Sequence, residues 1–104
     1  MPSQAQTLQL SEAQAAQRAA VELGAEKDPV AQIHAKLAQD ALDKANLNIK
    51  DEKFKRAEYQ IKRAKADAEL AVALARENKS RLALERATTE AKEQASTNTS
   101  QGAK

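Results

Sequence analysis

The sequence has 104 residues, of which 24 are alanine and only two, Phe54 and Tyr59, are aromatic, so a thick globular core is excluded. Its 17 basic and 15 acidic residues leave a net charge of +2, which gives no strong electrostatic case for nucleic-acid binding. There is no cysteine, so a disulfide framework is excluded. Abundant Ala, Glu, Lys, Leu and Arg instead predict one all-α domain of long, thinly packed helices.

The first predicted helix covers residues 7–23, after an N-terminus at 1–6 that is predicted to be disordered. Ser11 is an alternative N-cap if the first turn frays, and Gly24 can end the helix in a left-handed conformation. One side of this helix carries a narrow apolar ridge of Leu8, Ala16, Ala19, Ala20 and Leu23.

The second predicted helix covers residues 29–47. Asp28 is its predicted N-cap and Pro29 fits the first helical position. Asn46 and Asn48 are predicted to end this helix, and Asp51 to cap the next one. Its apolar stripe consists of Val30, His34, Leu37, Ala41 and Ala45, with Ile33 and Leu42 at the edges.

The third predicted helix covers residues 52–95, because no glycine or proline interrupts that stretch. It would be roughly 65 Å long, and the tail at 96–104 is predicted to be disordered by composition. A first apolar register with spacings of three and four residues runs along it as Phe54, Ala57, Ile61, Ala64, Ala68, Ala71 and Ala75. With Val30, Leu37 and Ala41 of the second helix, this register is the predicted helix-packing seam.

Alanine on such a seam lets two helix axes approach closely, at little cost in side-chain entropy. Each turn then buries little area, so length must replace thickness. The predicted fold is therefore a slender antiparallel helical hairpin or three-helix bundle, with a long third helix protruding from it.

A second apolar register on the third helix needs a second partner, either the first helix or another chain. It comprises Tyr59, Ala66, Leu70, Ala73, Leu84, Ala87 and Ala91 and is broken by Glu77 and Ser80. The far end of the third helix lies beyond the reach of the second helix, which predicts a homo-oligomer. The predicted oligomer face consists of Leu70, Leu74, Leu82, Leu84, Ala87 and Ala91.

The residue types give no chemistry for an enzyme. Neither a nucleophile motif nor a glycine-rich phosphate loop is present, so we predict no catalytic residue, no cofactor and no small-molecule substrate. With one histidine and no calcium-loop spacing, no metal site is predicted. His34 is interpreted as a packed or edge histidine, the alternative being a pH sensor.

The segment at 50–69 is locally basic and contains both aromatic residues. Acidic residues are interleaved, and Asp51 with Lys55 and Glu58 with Lys62 are spaced as favourable ion pairs on a helix. We interpret the segment as a solvated helix face, with contact to a membrane surface or an anionic polymer as the alternative.

Residues 29–87 resemble an alanine-rich domain of unknown function found in Gram-negative envelope proteins. The resemblance rests on Ala35, Lys36, Leu37 and Ala41, then on Asp51, Phe54 and Ala57, and finally on "ADAELA" at residues 66–71. It implies export and an N-terminal lipidated cysteine. In some members of that family, the alanine-rich domain is followed by an OmpA-like peptidoglycan-binding domain. This sequence contains neither, so any anchor would lie upstream, and wall binding does not carry over.

With no catalytic chemistry in the sequence, the resemblance implies a non-enzymatic periplasmic module of the cell envelope that acts as a spacer or protein-interaction scaffold. The expected partners are a second copy of the chain and an envelope protein. Contact with a membrane, the outer membrane, is expected only through an anchor. The alternative is a cytoplasmic coiled-coil adaptor or a nucleic-acid-associated helical protein.

Overall fold

The computed structural model describes residues 1–102, with side-chain environments described through residue 99. It contains α1 (Gln4–Glu22), a short 3-10 turn (Ala25–Lys27), α2 (Pro29–Lys50) and α3 (Phe54–Gly102). No strand occurs among these residues, so the predicted all-α class is confirmed. Of the two predicted architectures, the structure is the three-helix bundle with a long third helix.

The three helices run up, down and up. The start of α1 lies beside the start of α3, where Gln6 Nε2 donates to the Phe54 carbonyl at 3.1 Å. Further along, Ala13 packs with Ala64, and these two helices therefore run parallel. Helix α2 lies antiparallel to α3, and α1 packs within its own chain.

The predicted caps at the first turn are present. Gly24 follows α1 with a φ of 88°, a left-handed conformation that glycine adopts without strain. Asp28 accepts a hydrogen bond from the Ala31 N–H at 3.2 Å, and Pro29 occupies the first turn of α2. This turn therefore reverses the chain as the sequence predicts.

The second turn differs from the prediction, because α2 continues past Asn46 and Asn48 to Lys50. Asp51 ends α2 instead of capping α3. Glu52 has a φ of 59°, and the Lys53 N–H donates to the Asn48 carbonyl at 2.7 Å. These features define a Schellman motif, and asparagine, although a weak helix former, is tolerated inside its last turns.

The ends of the chain are more helical than predicted. Helix α1 begins at Gln4, because the Ser3 side chain caps it by accepting from the Gln6 N–H at 3.1 Å. Ser11 therefore lies inside α1. Helix α3 starts two residues after the predicted boundary at residue 52 and continues to Gly102, so residues 96–102 are helical. The remaining tail residues, 103 and 104, lie outside the described part.

The core is built almost entirely from alanine. Among the described residues 15 apolar ones are buried, and 13 of these are alanine, the others being Leu42 and Ile61. Ile61 is the largest fully buried side chain. The molecule measures 78 × 22 × 14 Å, which is the slender shape that an alanine core predicts.

The predicted apolar faces of the first two helices are correct only in part: Ala20 of α1 and Ala41, Leu42 and Ala45 of α2 are buried, but other members are not. In α1 the buried residues are Ala13, Gln17 and Ala20, while Leu8 is 61% exposed. In α2 the buried face also uses small residues at spacings of three and four: Ala31, Ala35, Ala38, Ala41, Leu42 and Ala45. Close helix contact selects alanine over bulkier predicted members such as Leu8 and Val30.

Candidate interaction surface

The packing seam of α3 lies where the first register places it. All its members from Ala57 to Ala75 are at most 2% exposed, and Phe54 at its start is half-buried. On α2, Ala41 is buried and Leu37 is half-buried, but Val30 is 51% exposed and does not belong to the seam. The seam is the structural element that holds α1 and α2 against α3.

Two glutamines take seam positions on α1 that the apolar pattern misses. Gln17 is buried, and its Nε2 donates to the Ala35 carbonyl at 2.7 Å, which joins α1 to α2. Gln6 makes the corresponding link to α3 described above. Gln6 and Gln17 lie three or four residues from Leu10, Ala13 and Ala20 along α1. The helical spacing therefore identifies both glutamines once polar residues are counted together with apolar ones.

His34 lies at the edge of the contact between α2 and α3. Its Nδ1 is 3.1 Å from Asp67 Oδ1, and both side chains are partly buried. This geometry agrees with the interpretation of His34 as an edge histidine whose ring is satisfied.

The second register of α3 faces away from the bundle. Tyr59, Leu70 and Leu84 are 62%, 43% and 68% exposed, and the alanines of the register are exposed as well. Helix α1 packs against the seam of α3 through Ala13 and Ala20, and it does not cover this second register. The α3 stripe, as we call the register from Tyr59 to Ala91, therefore has no partner among the described residues.

Two members of the predicted oligomer face lie elsewhere. Leu74 is half-buried and packs against the alanine cluster that contains Ala31. Leu82 lines a groove beside the first turn with Leu23 and Gly24. The face that remains consists of Leu70, Leu84, Ala87 and Ala91, all on the α3 stripe.

From residue 79 to residue 99 every side chain of α3 is exposed. This segment, the α3 overhang, is about 30 Å long. It follows directly on the bundle as one uninterrupted helix. The overhang carries the last three members of the α3 stripe: Leu84, Ala87 and Ala91.

Ion pairs lie on the surface of the bundle. Glu58 and Lys62 pair at 3.1 Å as predicted, whereas Asp51 and Lys55 form no ion pair in the described structure. Lys65 pairs with Glu12 of α1 at 2.7 Å. The hydrogen bond and charge of the Glu12 carboxylate raise the pKa of Lys65 above its ordinary value of 10.5.

Residues 1–102 contain no helix that is both long and apolar enough to cross a membrane. The same residues bring together no group of three or more histidine, cysteine or carboxylate side chains that could hold a metal ion.

The fold and the exposed face together define a class of protein: an alanine-cored three-helix bundle whose candidate site is a helix face. The chain belongs to the family described as Domain of unknown function (DUF4398), which matches residues 8–87. This membership agrees with the predicted resemblance to a domain of unknown function. No curated protein and no solved structure matches the chain.

Proposed function

We propose that this protein is a non-enzymatic helical module of the bacterial cell envelope that serves as a spacer and self-associating scaffold. The observation that carries the proposal is the α3 overhang, a single helix that leaves the bundle with every side chain from residue 79 to residue 99 exposed. A helix exposed on all sides is stabilised when it meets a partner.

A second copy of this chain is the occupant that we propose for the α3 stripe. The stripe has the spacing of three and four residues that pairs helices in coiled coils over Ala66–Ala73 and again over Leu84–Ala91, with an interruption at Glu77 and Ser80. The helix that carries it runs without a break from the bundle into the overhang. Its small residues, Ala66, Ala73, Ala87 and Ala91, allow the same close approach that the buried alanine seam already shows within the chain.

The mass of the protein in solution tests the self-association. We expect a mass above that of the monomer by light scattering at high micromolar concentration, and a monomer for Leu84→Glu. Thr89→Glu is the matched control, because it places the same charge on the opposite side of the overhang. A monomeric wild type, or equal effects of the two substitutions, would overturn the assignment of the stripe.

The envelope location is supported by the resemblance of residues 29–87 to domains of exported, lipid-anchored proteins. Fractionation of the native host, with protease protection in spheroplasts, tests it. We expect the protein in the periplasmic or outer-membrane fraction. Recovery in the cytoplasm would favour the alternative, a cytoplasmic coiled-coil adaptor or a nucleic-acid-associated protein.

A further inference from the structure

The α3 stripe consists of two halves that are separated by polar residues. One half, at residues 59–73, lies on the bundle, and the other, at residues 84–91, lies on the overhang. Glu77 and Ser80 occupy the stripe positions between them. A second copy can lie on this stripe either parallel or antiparallel, and the two arrangements bring different halves together.

A parallel pair in register would bring like charges together. In such a pair each residue of the stripe faces its own copy. The spacing of the stripe includes the exposed residues Arg63 and Glu77, and each of these would meet the same charge. Only Lys62 and Asp67, on the flanks of the stripe, would gain an opposite charge. Because like charges in contact oppose association, this orientation is disfavoured.

An antiparallel pair exchanges the two halves, so that the overhang of each copy lies along the bundle of the other. If the two-fold axis lies at the level of Ala75, every larger side chain of the stripe faces an alanine or a serine. The facing pairs are Tyr59 with Ala91, Arg63 with Ala87, Ala66 with Leu84, Leu70 with Ser80, and Ala73 with Glu77. Large residues opposite small ones allow the two helices to pack closely.

The charges on the flanks of the stripe favour the same register. They place Lys62 beside Glu90 of the second copy, and Asp67 beside Arg81 of the second copy. Asp67 contacts His34 through Oδ1, so its Oδ2 remains for Arg81. Because the pair is two-fold symmetric, each of these ion pairs occurs twice.

Shifting the register by one heptad separates both ion pairs. In one direction Glu69 would lie beside Glu90, and in the other Ala91 would lie beyond the start of α3. The register at Ala75 brings Arg76 against its own copy, but Glu77 of the second copy lies beside it and compensates the charge. This register therefore fits both the side-chain sizes and the charges.

Open grooves border the stripe on both sides at the level of Ala75. One groove, of about 440 Å³, is lined by three alanines of α1 and by residues of α3 that include Val72 and Ala73. The other, of about 190 Å³, is lined by Leu74 and by Val30, which is 51% exposed. A helix on the stripe would border both grooves and remove apolar surface from water.

We propose that two copies of this chain form an antiparallel dimer in which the overhang of each copy lies on the bundle half of the other copy's α3 stripe. This inference rests on the self-association proposed above and adds its orientation and its register. The two α3 helices overlap over residues 59–91, which is roughly 50 Å. Each overhang thereby becomes a fourth helix on the bundle of the other copy.

Disulfide formation between single-cysteine variants distinguishes the orientations, because the chain contains no cysteine of its own. Arg63→Cys and Ala87→Cys are mixed in a redox buffer in which disulfides exchange. We expect the mixed disulfide between residues 63 and 87 to dominate. In the antiparallel dimer the two copies of residue 87 lie about 36 Å apart along the helix axis, which is too far for a disulfide.

Thr89→Cys mixed with Arg63→Cys is the matched control, because residue 89 lies on the opposite side of the overhang. We expect little mixed disulfide from this pair. Equal yields from the two mixtures would show random collision and overturn the proposal. Preferential linkage of Ala87→Cys to itself in a dimer would show a parallel pair and overturn the orientation alone.

Light scattering of the wild type separates failure of this inference from failure of the scaffold proposal. A monomer at high micromolar concentration would overturn both. A dimer that gives the mixed disulfide between residues 63 and 87 supports both.

Charge reversal tests the register, with the dimer dissociation constant measured by analytical ultracentrifugation. Glu90→Lys should raise this constant severalfold, because Lys62 of the second copy then faces a like charge. Adding Lys62→Glu to the same chain should restore it. Glu93→Lys makes the same charge change away from the stripe, and Lys62→Glu should not rescue it. Failure to rescue Glu90→Lys, or equal rescue of both variants, would overturn the register.

Discussion

Ala68 lies at the middle of the α3 seam and is fully buried. We expect Ala68→Leu to lower the melting temperature, although leucine is more hydrophobic, because the added methylenes push the helices apart. Overpacking of this kind costs about 1–3 kcal/mol, and each kcal/mol corresponds to about 4–8 °C in a domain of this size.

Ala66 provides the control for this prediction, because it lies two residues away on the same helix but is exposed. Thermal unfolding at low protein concentration should show an unchanged or higher melting temperature for Ala66→Leu. A higher melting temperature for Ala68→Leu would mean that the seam is loosely packed.

Lys65 links α1 to α3 through Glu12, and this pair makes stability depend on pH at the alkaline end. The raised pKa of Lys65 means that the folded chain holds this proton more tightly than the unfolded chain does. Its contribution is fully present below pH 10.5 and is lost as the pH rises through the folded-state pKa.

We therefore expect Lys65→Met to be less stable than the wild type at neutral pH, and the difference to shrink above pH 10.5. Urea unfolding at several pH values measures it, and Lys79→Met corrects for the loss of one positive charge. A difference that grows with pH above this value would contradict the assignment.

At the scale of the elements, the second turn holds a strained residue. Glu52 has a φ of 59° at the position of the Schellman motif where glycine is preferred. We expect Glu52→Gly to stabilise the protein by about 1 kcal/mol, since a side chain in this conformation costs that order of free energy.

Asp51→Gly is the matched control, because Asp51 has a φ of −85° and gains nothing from glycine. Chemical denaturation should show that it is neutral or destabilising. If both substitutions destabilise equally, Glu52 must contribute through its side chain and not through its backbone conformation.

The three helices differ in how far their faces could be predicted from sequence. On α3, Ala57 to Ala75 repeat without interruption over five turns, so the spacing alone identifies the seam. On α1 and α2 the predicted faces also included bulky residues such as Leu8 and Val30, which the structure leaves exposed. Tertiary contact selects small residues there, and Gln17 is buried because a neighbouring carbonyl accepts its hydrogen bond.

The open groove of about 470 Å³ at the second turn could not be predicted in the same way. The basic segment is visible in the sequence, but Lys44 reaches it from a different helix. Spacing predicted a pair between Asp51 and Lys55, yet Asp51 ends α2 and forms no such pair in the described structure. The side chains that line this groove are therefore brought together by the geometry of the turn.

At the scale of the whole molecule, we expect the backbone amides of the bundle to be better protected from hydrogen exchange than those of the overhang. Amides of residues 57–75 are held by the seam, while every side chain of the overhang is exposed. Because isolated helices are marginal in water, we expect rapid hydrogen exchange beyond residue 79 at low protein concentration and slow exchange in the seam.

Mass spectrometry of the exchanged protein measures this contrast as a function of concentration. If two copies pair through the α3 stripe, protection of the overhang should rise with concentration, and Leu84→Glu should abolish that rise. Strong protection that is independent of concentration would show that the overhang is stable by itself.

The up-down-up order of the helices also has a mechanical consequence. The N-terminus lies beside Phe54, while α3 carries the chain to the far end of a molecule 78 Å long. Tension applied between the two ends therefore slides α1 and α3 along their axes in opposite directions. Such shear loads all the alanine contacts at once instead of peeling them apart one by one, so the rod resists stretching better than its thin core suggests.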